Sequence, residues 1–389
     1  SMYSIKLLNK IAKIGTDNFD KAKYAVSDSV ENPDAIMVRS EKMHEYKFNP
    51  ELKAIARAGA GVNNSPIDRC SDAGIVVFNT PGANANGVKE LTIAALLLSS
   101  RDIAGGIEWV NSQKGQTEIA ALVEKNKSKF AGVELKGKTL GVIGLGAIGG
   151  MVANAASNLG MEVIGYDPYL TIEGAWSLSR AVRKAASYDE IFEKSDYISV
   201  HVPATKETKG MFCTESFSKM KDGVRIINLS RAELVNASDL LSAVKGGKVA
   251  SYVTDFAIDE LVGVDSRIIT IPHLGASTNE SEDNCAVMAA KELIDYLENG
   301  TIRNSVNYPN TELPYSDNNR VCILHKNVAG VISEVSTVFA QEKINISHMI
   351  NRSRGDYAYT IIEVSGTVGN APEKIAALAD VLRVNVILR

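Results

Sequence analysis

Short runs of β-branched and aliphatic residues, most of them closed by Gly, Asn or Pro, alternate with amphipathic stretches as far as residue 276. Such alternation predicts α/β layering, because a parallel strand buried on both faces reads as a continuous apolar run and reaches its partner through a crossover helix. A first set of strands is expected at 4–8, 35–39, 52–57 and 75–78. A second is expected at 139–143, 162–166, 197–201, 225–229, 249–255 and 268–271. Between the sets, 88–129 carries a buried helical stretch at 91–98 and then a polar run, so it reads as long linking helices. Residues 278–300 read as one helix with Val287, Leu293, Ile294 and Leu297 apolar and Gly300 as its stop.

The pattern then changes. Residues 304–319 are rich in Asn, Pro and Ser without periodicity and read as a linker. Beyond it, strands at 321–324, 344–350, 357–364 and 383–388 enclose helices at 331–340 and from Pro372, an order βαββαβ that is ferredoxin-like. The expected domains are 1–88 with 277–303, then 89–276, the linker 304–319, and 320–389.

Composition narrows the function classes. Apolar residues make up 45% and charged residues 23%, which is globular, and 42 Lys plus Arg against 46 Asp plus Glu leave a net charge of −4. That balance gives no footprint for nucleic acid or an anionic membrane, and no apolar run approaches the roughly 20 residues of a bilayer span. The N-terminus has no basic region or cleavable apolar core, and Ser1 ahead of Met2 reads as a cleavage remnant. Four scattered cysteines form no CxxC pair, so reduced thiols, a cytoplasmic location and no metal site are expected.

Gly144-Leu145-Gly146-Ala147-Ile148-Gly149 follows an expected strand and opens an apolar helix, the context a dinucleotide-binding glycine motif requires. The first two glycines let backbone turn and approach a pyrophosphate, the third lets helix and strand pack, and the helix N-terminus offers free N–H groups. Asp167 ends the next strand, where a carboxylate accepts from ribose hydroxyls and repels a 2′-phosphate, so NAD is expected over NADP. Three more strand ends carry chemistry: Arg231 after Asn228-Leu229-Ser230, Glu260 after Asp255, and His273 after Pro272. A forked cation can grip a carboxylate and the oxygen beside it. An imidazole can exchange the hydroxyl proton while hydride moves, and a nearby carboxylate favours the imidazolium.

The glycine loop, Tyr166-Asp167-Pro168, Val200-His201-Val202-Pro203, Asn228-Leu229-Ser230-Arg231 and Pro272-His273 together resemble the NAD-dependent D-2-hydroxyacid dehydrogenases over about residues 35 to 300. The resemblance implies a flavodoxin-like substrate domain and a Rossmann NAD-binding domain, with a catalytic cleft between them. It also implies Arg231, Glu260 and His273 as the catalytic set, with His201, Pro203, Thr208, Asp255 and Gly275 beside the cofactor. Within the family the chain is most similar to the branch acting on D-3-phosphoglycerate. That likeness implies substrate contacts from Arg39, Ser40, Gly61, Val62 and Asn84, alongside Arg231 and His273. Residues 88–129 would join two copies in a dimer, with a tetramer left open. The C-terminal unit resembles ACT-type modules that bind L-serine, which implies ligand contacts from His325, Asn327 and Asn345, although Ala329 stands where that pattern has proline. A dehydrogenase for glycerate, glyoxylate or hydroxypyruvate, or an NADH-sensing corepressor of the same fold, fits the same motifs.

Overall fold

The computed structural model describes residues 2–59, 61 and 64–389. They form two compact units, Ser1–Ala83 with Glu282–Arg389, and Asn84–Ser281.

In the first unit β1 (Tyr3–Leu8), β2 (Tyr24–Ser27), β3 (Ala35–Val38), β4 (Ala54–Arg57) and β5 (Val76–Phe78) form a parallel sheet of order β2-β1-β3-β4-β5. That order is flavodoxin-like. Every side chain of β3 and β5 is buried, which is why those strands are so legible in the sequence. The edge strand β2 buries Tyr24 alone, so its pattern is too faint to predict. The helix Asn279–Asn299 lays Ala286, Ala289, Ala290, Leu293, Tyr296 and Leu297 into the same core, at the 3–4 spacing of one helical face.

The second unit holds β6 (Thr139–Ile143), β7 (Glu162–Tyr166), β8 (Arg183–Lys184), β9 (Tyr197–Val200), β10 (Val224–Asn228), β11 (Val249–Thr254) and β12 (Ile268–Thr270). Their order, β12-β11-β10-β9-β6-β7-β8 with all pairs parallel, is that of a Rossmann sheet. The order reverses between β6 and β9, so the crevice at their carboxyl ends is where such a sheet takes a ligand. The helix Ala85–Ser100 buries Val88, Ala95 and Leu96 against this sheet.

The chain closes with β13 (Asn319–Lys326), β14 (Ile346–Arg354), β15 (Tyr357–Val364) and β16 (Val381–Ile387) in an antiparallel sheet of order β14-β15-β13-β16. Helices Val331–Gln341 and Ala371–Ala376 cover one face through Val321, Ile323, Ile362 and Val364. Alternate residues point the other way. Cys322, Leu324, Tyr359 and Ile361 join the core of the first unit beside Phe78 and Tyr296, so β13 and β15 are covered on both faces, while the edge strand β14 is largely exposed.

Residues 304–319 are not the free linker their composition suggests. Ser305, Asn307, Tyr308 and Thr311 are buried. Asn307 Oδ1 accepts from the Val77 amide at 3.0 Å, and the Tyr308 hydroxyl donates to the Ser71 carbonyl at 2.6 Å. The polar side chains that look solvent-loving are spent on the edge of β5. Arg320 completes the junction. It is fully buried and meets Glu363 through Nη2 at 2.8 Å and Nε at 3.0 Å, while Nη1 donates to the Asn299 carbonyl and Nη2 also to those of Leu313 and Pro314.

Removing one partner of such a pair strands the other charge away from water. Arg320→Ala should therefore lose about 3–5 kcal/mol in denaturant unfolding; a loss below about 1 kcal/mol would mean that the pair does not join the sheet to its neighbours.

Candidate active site

The glycine loop is shaped by two different demands. Gly144 has φ +88°, and a Cβ there would sit 2.2 Å from the His201 carbonyl oxygen. A Cβ on Gly149 would lie 1.8 Å from the Gly144 oxygen. Both glycines are required by the protein's own packing. Gly146 is not: no heavy atom lies within 4 Å of where its Cβ would be. It starts the helix Ala147–Asn158, exposed beside exposed Ala147 and half-buried Ile148, and its bareness suits an anion approaching the helix N-terminus.

Asp167 follows β7. Its Oδ2 accepts from the Leu145 amide at 2.8 Å and its Oδ1 from the Tyr169 amide at 2.9 Å. The carboxylate thus braces the glycine loop and also lines a cavity of about 520 Å³ with Gly146, Ala147, Asn154 and Thr171. That cavity can seat the nucleoside end of a dinucleotide.

The remaining strand ends of this unit carry the other expected residues. Asn228 is fully buried, and its side chain organises the turn after β10. Oδ1 accepts from the amides of Ser230 and Arg231 at 3.1 and 3.3 Å, while Nδ2 donates to the Arg231 carbonyl at 2.9 Å and to the Tyr252 hydroxyl at 3.1 Å. Arg231 itself is exposed, with Nη1 donating to the Ser230 carbonyl at 2.7 Å. The His273 ring lies against Phe256, centroids 4.7 Å apart.

Asp255 is 2% exposed, and its Oδ2 accepts from the Gly275 amide at 3.2 Å. Its Oδ1 is buried without any partner. Burial raises the Asp255 pKa above the ordinary aspartate value, against the opposing pull of the Gly275 N–H and of His273. That oxygen can accept from a donor outside the chain, and a carboxamide NH₂ is one that fits.

The expected pairing of Glu260 with His273 is not formed. Glu260 sits exposed in the turn after β11 and makes no hydrogen bond or ion pair among the described residues. The charge of His273 acts on Asp255, opposing the rise that burial causes.

His201 follows β9, with its Nε2 2.7 Å from the Ser199 Oγ. Burial lowers its pKa to about 4, so at neutral pH it is uncharged and a poor proton donor. Thr208 donates to the Pro203 carbonyl at 2.7 Å and accepts from the Thr205 amide at 2.7 Å, which fixes the loop after His201. Asn84 stands half-buried before the helix Ala85–Ser100.

In the first unit Arg39 and Ser40 are exposed just after β3, and Gly61 is exposed after β4. Val62 lies outside the described residues. Sequence reasoning missed Arg57, whose Nε donates to the Arg39 carbonyl at 2.8 Å and whose Nη1 would lie 2.9 Å from a Cβ on Gly61.

In the C-terminal sheet the three effector candidates divide. Asn327 and Asn345 are exposed, and Asn327 Nδ2 donates to the Gly355 carbonyl at 3.0 Å. His325 is 3% exposed, with one ring nitrogen on the Lys326 carbonyl at 2.9 Å and the other on Thr360 Oγ1 at 2.8 Å. Both nitrogens already have partners within the protein.

Residues 93–277 match the NAD binding domain of the D-isomer specific 2-hydroxyacid dehydrogenases. The D-3-phosphoglycerate dehydrogenase of Archaeoglobus fulgidus is 36% identical over 288 residues, covering 72% of this chain and 52% of that protein. That of Mycobacterium leprae is 33% identical over 377 residues, covering 92% and 68%. The chain belongs to the D-2-hydroxyacid dehydrogenase family. It spans about half the length of the Archaeoglobus relative. The crystal structure of an NAD+-bound 3-phosphoglycerate dehydrogenase from Entamoeba histolytica superposes with a TM-score of 0.59 at 30% identity, covering 79% of this chain and 99% of that one.

The two glycine demands can be separated experimentally. Gly149→Ala should destabilise the fold by about 3 kcal/mol through overpacking. Gly146→Ala should stay within about 1 kcal/mol of the parent yet weaken NADH binding about tenfold or more, read by nucleotide fluorescence. Equal loss of stability in both variants would remove the case for a ligand above residue 146.

Proposed function

We propose that the protein oxidises D-3-phosphoglycerate to 3-phosphohydroxypyruvate with NAD, in the cytoplasm, as the first step of serine synthesis. The observation that carries the reading is the unpartnered Asp255 Oδ1 at the strand end beside His273, in a chain whose curated relatives bear that activity in their names. Bound NAD would accept the hydride from C2 of the substrate. Asp255 would receive the nicotinamide carboxamide on its free oxygen, and Gly146 with the helix behind it would receive the pyrophosphate.

The protein's own groups would manage the rest. Arg231 offers two parallel N–H donors to the substrate carboxylate and the adjacent oxygen, which fixes the carbon to be oxidised. His273 takes the hydroxyl proton as the C–H bond breaks and returns it in the reverse direction. Glu260, exposed in its turn, would be the carboxylate available to favour the charged ring when substrate is bound. Arg39 and Ser40 would hold the phosphate, and the backbone about Gly61 the carboxylate. His201, uncharged at neutral pH, would serve as a neighbour of the cofactor and not as the proton carrier.

A homodimer follows from the helices Ile103–Ser112 and Ile119–Asn126, which bury no residue within the chain. Leu97, Ile103, Ile107 and Val110 are each more than two-fifths exposed, an apolar surface that a second copy would cover. A light-scattering mass of one chain would overturn this. For the C-terminal sheet we infer an L-serine effector held by the exposed amides of Asn327 and Asn345. Serine should then slow turnover, and Asn327→Ala should abolish that response; identical serine titrations of the two proteins would count against it.

His273→Ala should lower turnover by on the order of 10²–10⁴-fold while NADH binding persists. His201→Ala should cost less. A reversal of that ranking would exchange their roles, and a parent enzyme that reduces phosphohydroxypyruvate no faster than glyoxylate would overturn the substrate.

A further inference from the structure

Asn9 and Lys10, which immediately follow β1, form a device that neither the motifs nor the family comparison accounts for. Asn9 adopts a left-handed backbone, φ 90°, a conformation that asparagine tolerates better than most residues. From there its Oδ1 accepts three successive amides, those of Arg39, Ser40 and Glu41, at 2.9, 3.0 and 3.1 Å. Two consequences follow. The N–H groups at the end of β3 are already used, so an anion arriving there must be met by side chains. The residue after Asn9 is also held next to Arg39.

That residue is Lys10. It lines a pocket of about 220 Å³ with Arg39, Ala58, Glu282 and Ala286. The Arg39 Nη2 lies 3.8 Å from Glu282 Oε1 across this pocket, so its charge is partly spent. Lys10 is exposed and has no hydrogen bond or ion pair among the described residues. Without Lys10 the lining of this pocket holds one cation and one carboxylate, which offset each other.

We propose that Lys10 is a second phosphate-side residue that determines specificity for the phosphorylated substrate, with Glu282 as the counter-ion that Arg39 releases when phosphate enters and Asn9 as the positioning residue. This rests on the D-3-phosphoglycerate reading. Lysine suits the role, because a compact ammonium acts on a phosphate as a point charge without needing the planar register of a guanidinium. The alternative occupant, a small carboxylate, carries one charge and is matched by Arg39 alone once Glu282 turns away.

The test compares kcat/KM for phosphohydroxypyruvate and hydroxypyruvate in the full-length parent, Lys10→Gln, Lys10→Arg and Glu282→Gln. Losing one charged hydrogen bond to phosphate should lower the ratio about tenfold or more in Lys10→Gln, chiefly through KM for the phosphorylated substrate. Lys10→Arg should recover most of it, and Glu282→Gln should raise the ratio. Asn9→Ala should lower it with NADH binding retained. An unchanged ratio in Lys10→Gln overturns the proposal, and so does an equal loss on both substrates, which would mean a general effect on the fold. A parent without preference for the phosphorylated compound overturns the substrate reading itself, and the role of Lys10 falls with it.

Discussion

The nucleotide unit depends on one close approach of backbone to backbone, where residue 149 passes the carbonyl of residue 144 with no room for a methyl group. That contact sets the angle at which the helix Ala147–Asn158 leaves β6, and so aims its unpaired amides over the carboxyl edge of the sheet. The neighbouring strand obeys the same constraint, since the Gly144 turn also lies against the His201 carbonyl. With β6 and β9 so fixed, the ends of β10 and β11 fall into line beside them through the parallel ladder. Arg231, Asp255 and His273 are consequences of that geometry.

Two ways of burying charge distinguish structure from chemistry here. At Arg320 and Glu363 every charged group has a partner, and carbonyls from the helix end and from residues 313–314 complete the arginine's set. Such a network stabilises by being complete. At Asp255 one oxygen is satisfied and the other is not. A buried acceptor left without a donor costs stability, which a donor from outside the chain would recover.

The parts of this molecule legible in its sequence are those where one residue answers to one local demand. Fully buried strands such as β3 and β5 announce themselves as apolar runs, and Gly144 and Gly149 announce a tight strand-to-helix turn. Where a side chain serves a distant partner, local pattern misleads. The polarity of Ser305 and Asn307 suggests solvent, yet it serves the edge of β5. His325 matches a ligand-binding turn, yet its ring is occupied by Lys326 and Thr360, the latter 35 residues away. The spacing of Glu260 and His273 invites an acid–base pair that the folded chain leaves unformed. Asn9 carried no sequence signal, because its partners lie 30 to 32 residues along the chain and its backbone conformation cannot be read from composition.

The electrostatics of Asp255 tie these strands together. Burial disfavours its charge, while the Gly275 amide and the His273 ring favour it. A donor that reaches Oδ1 acts in the same sense as those two. An ionised Asp255 is an anion facing His273.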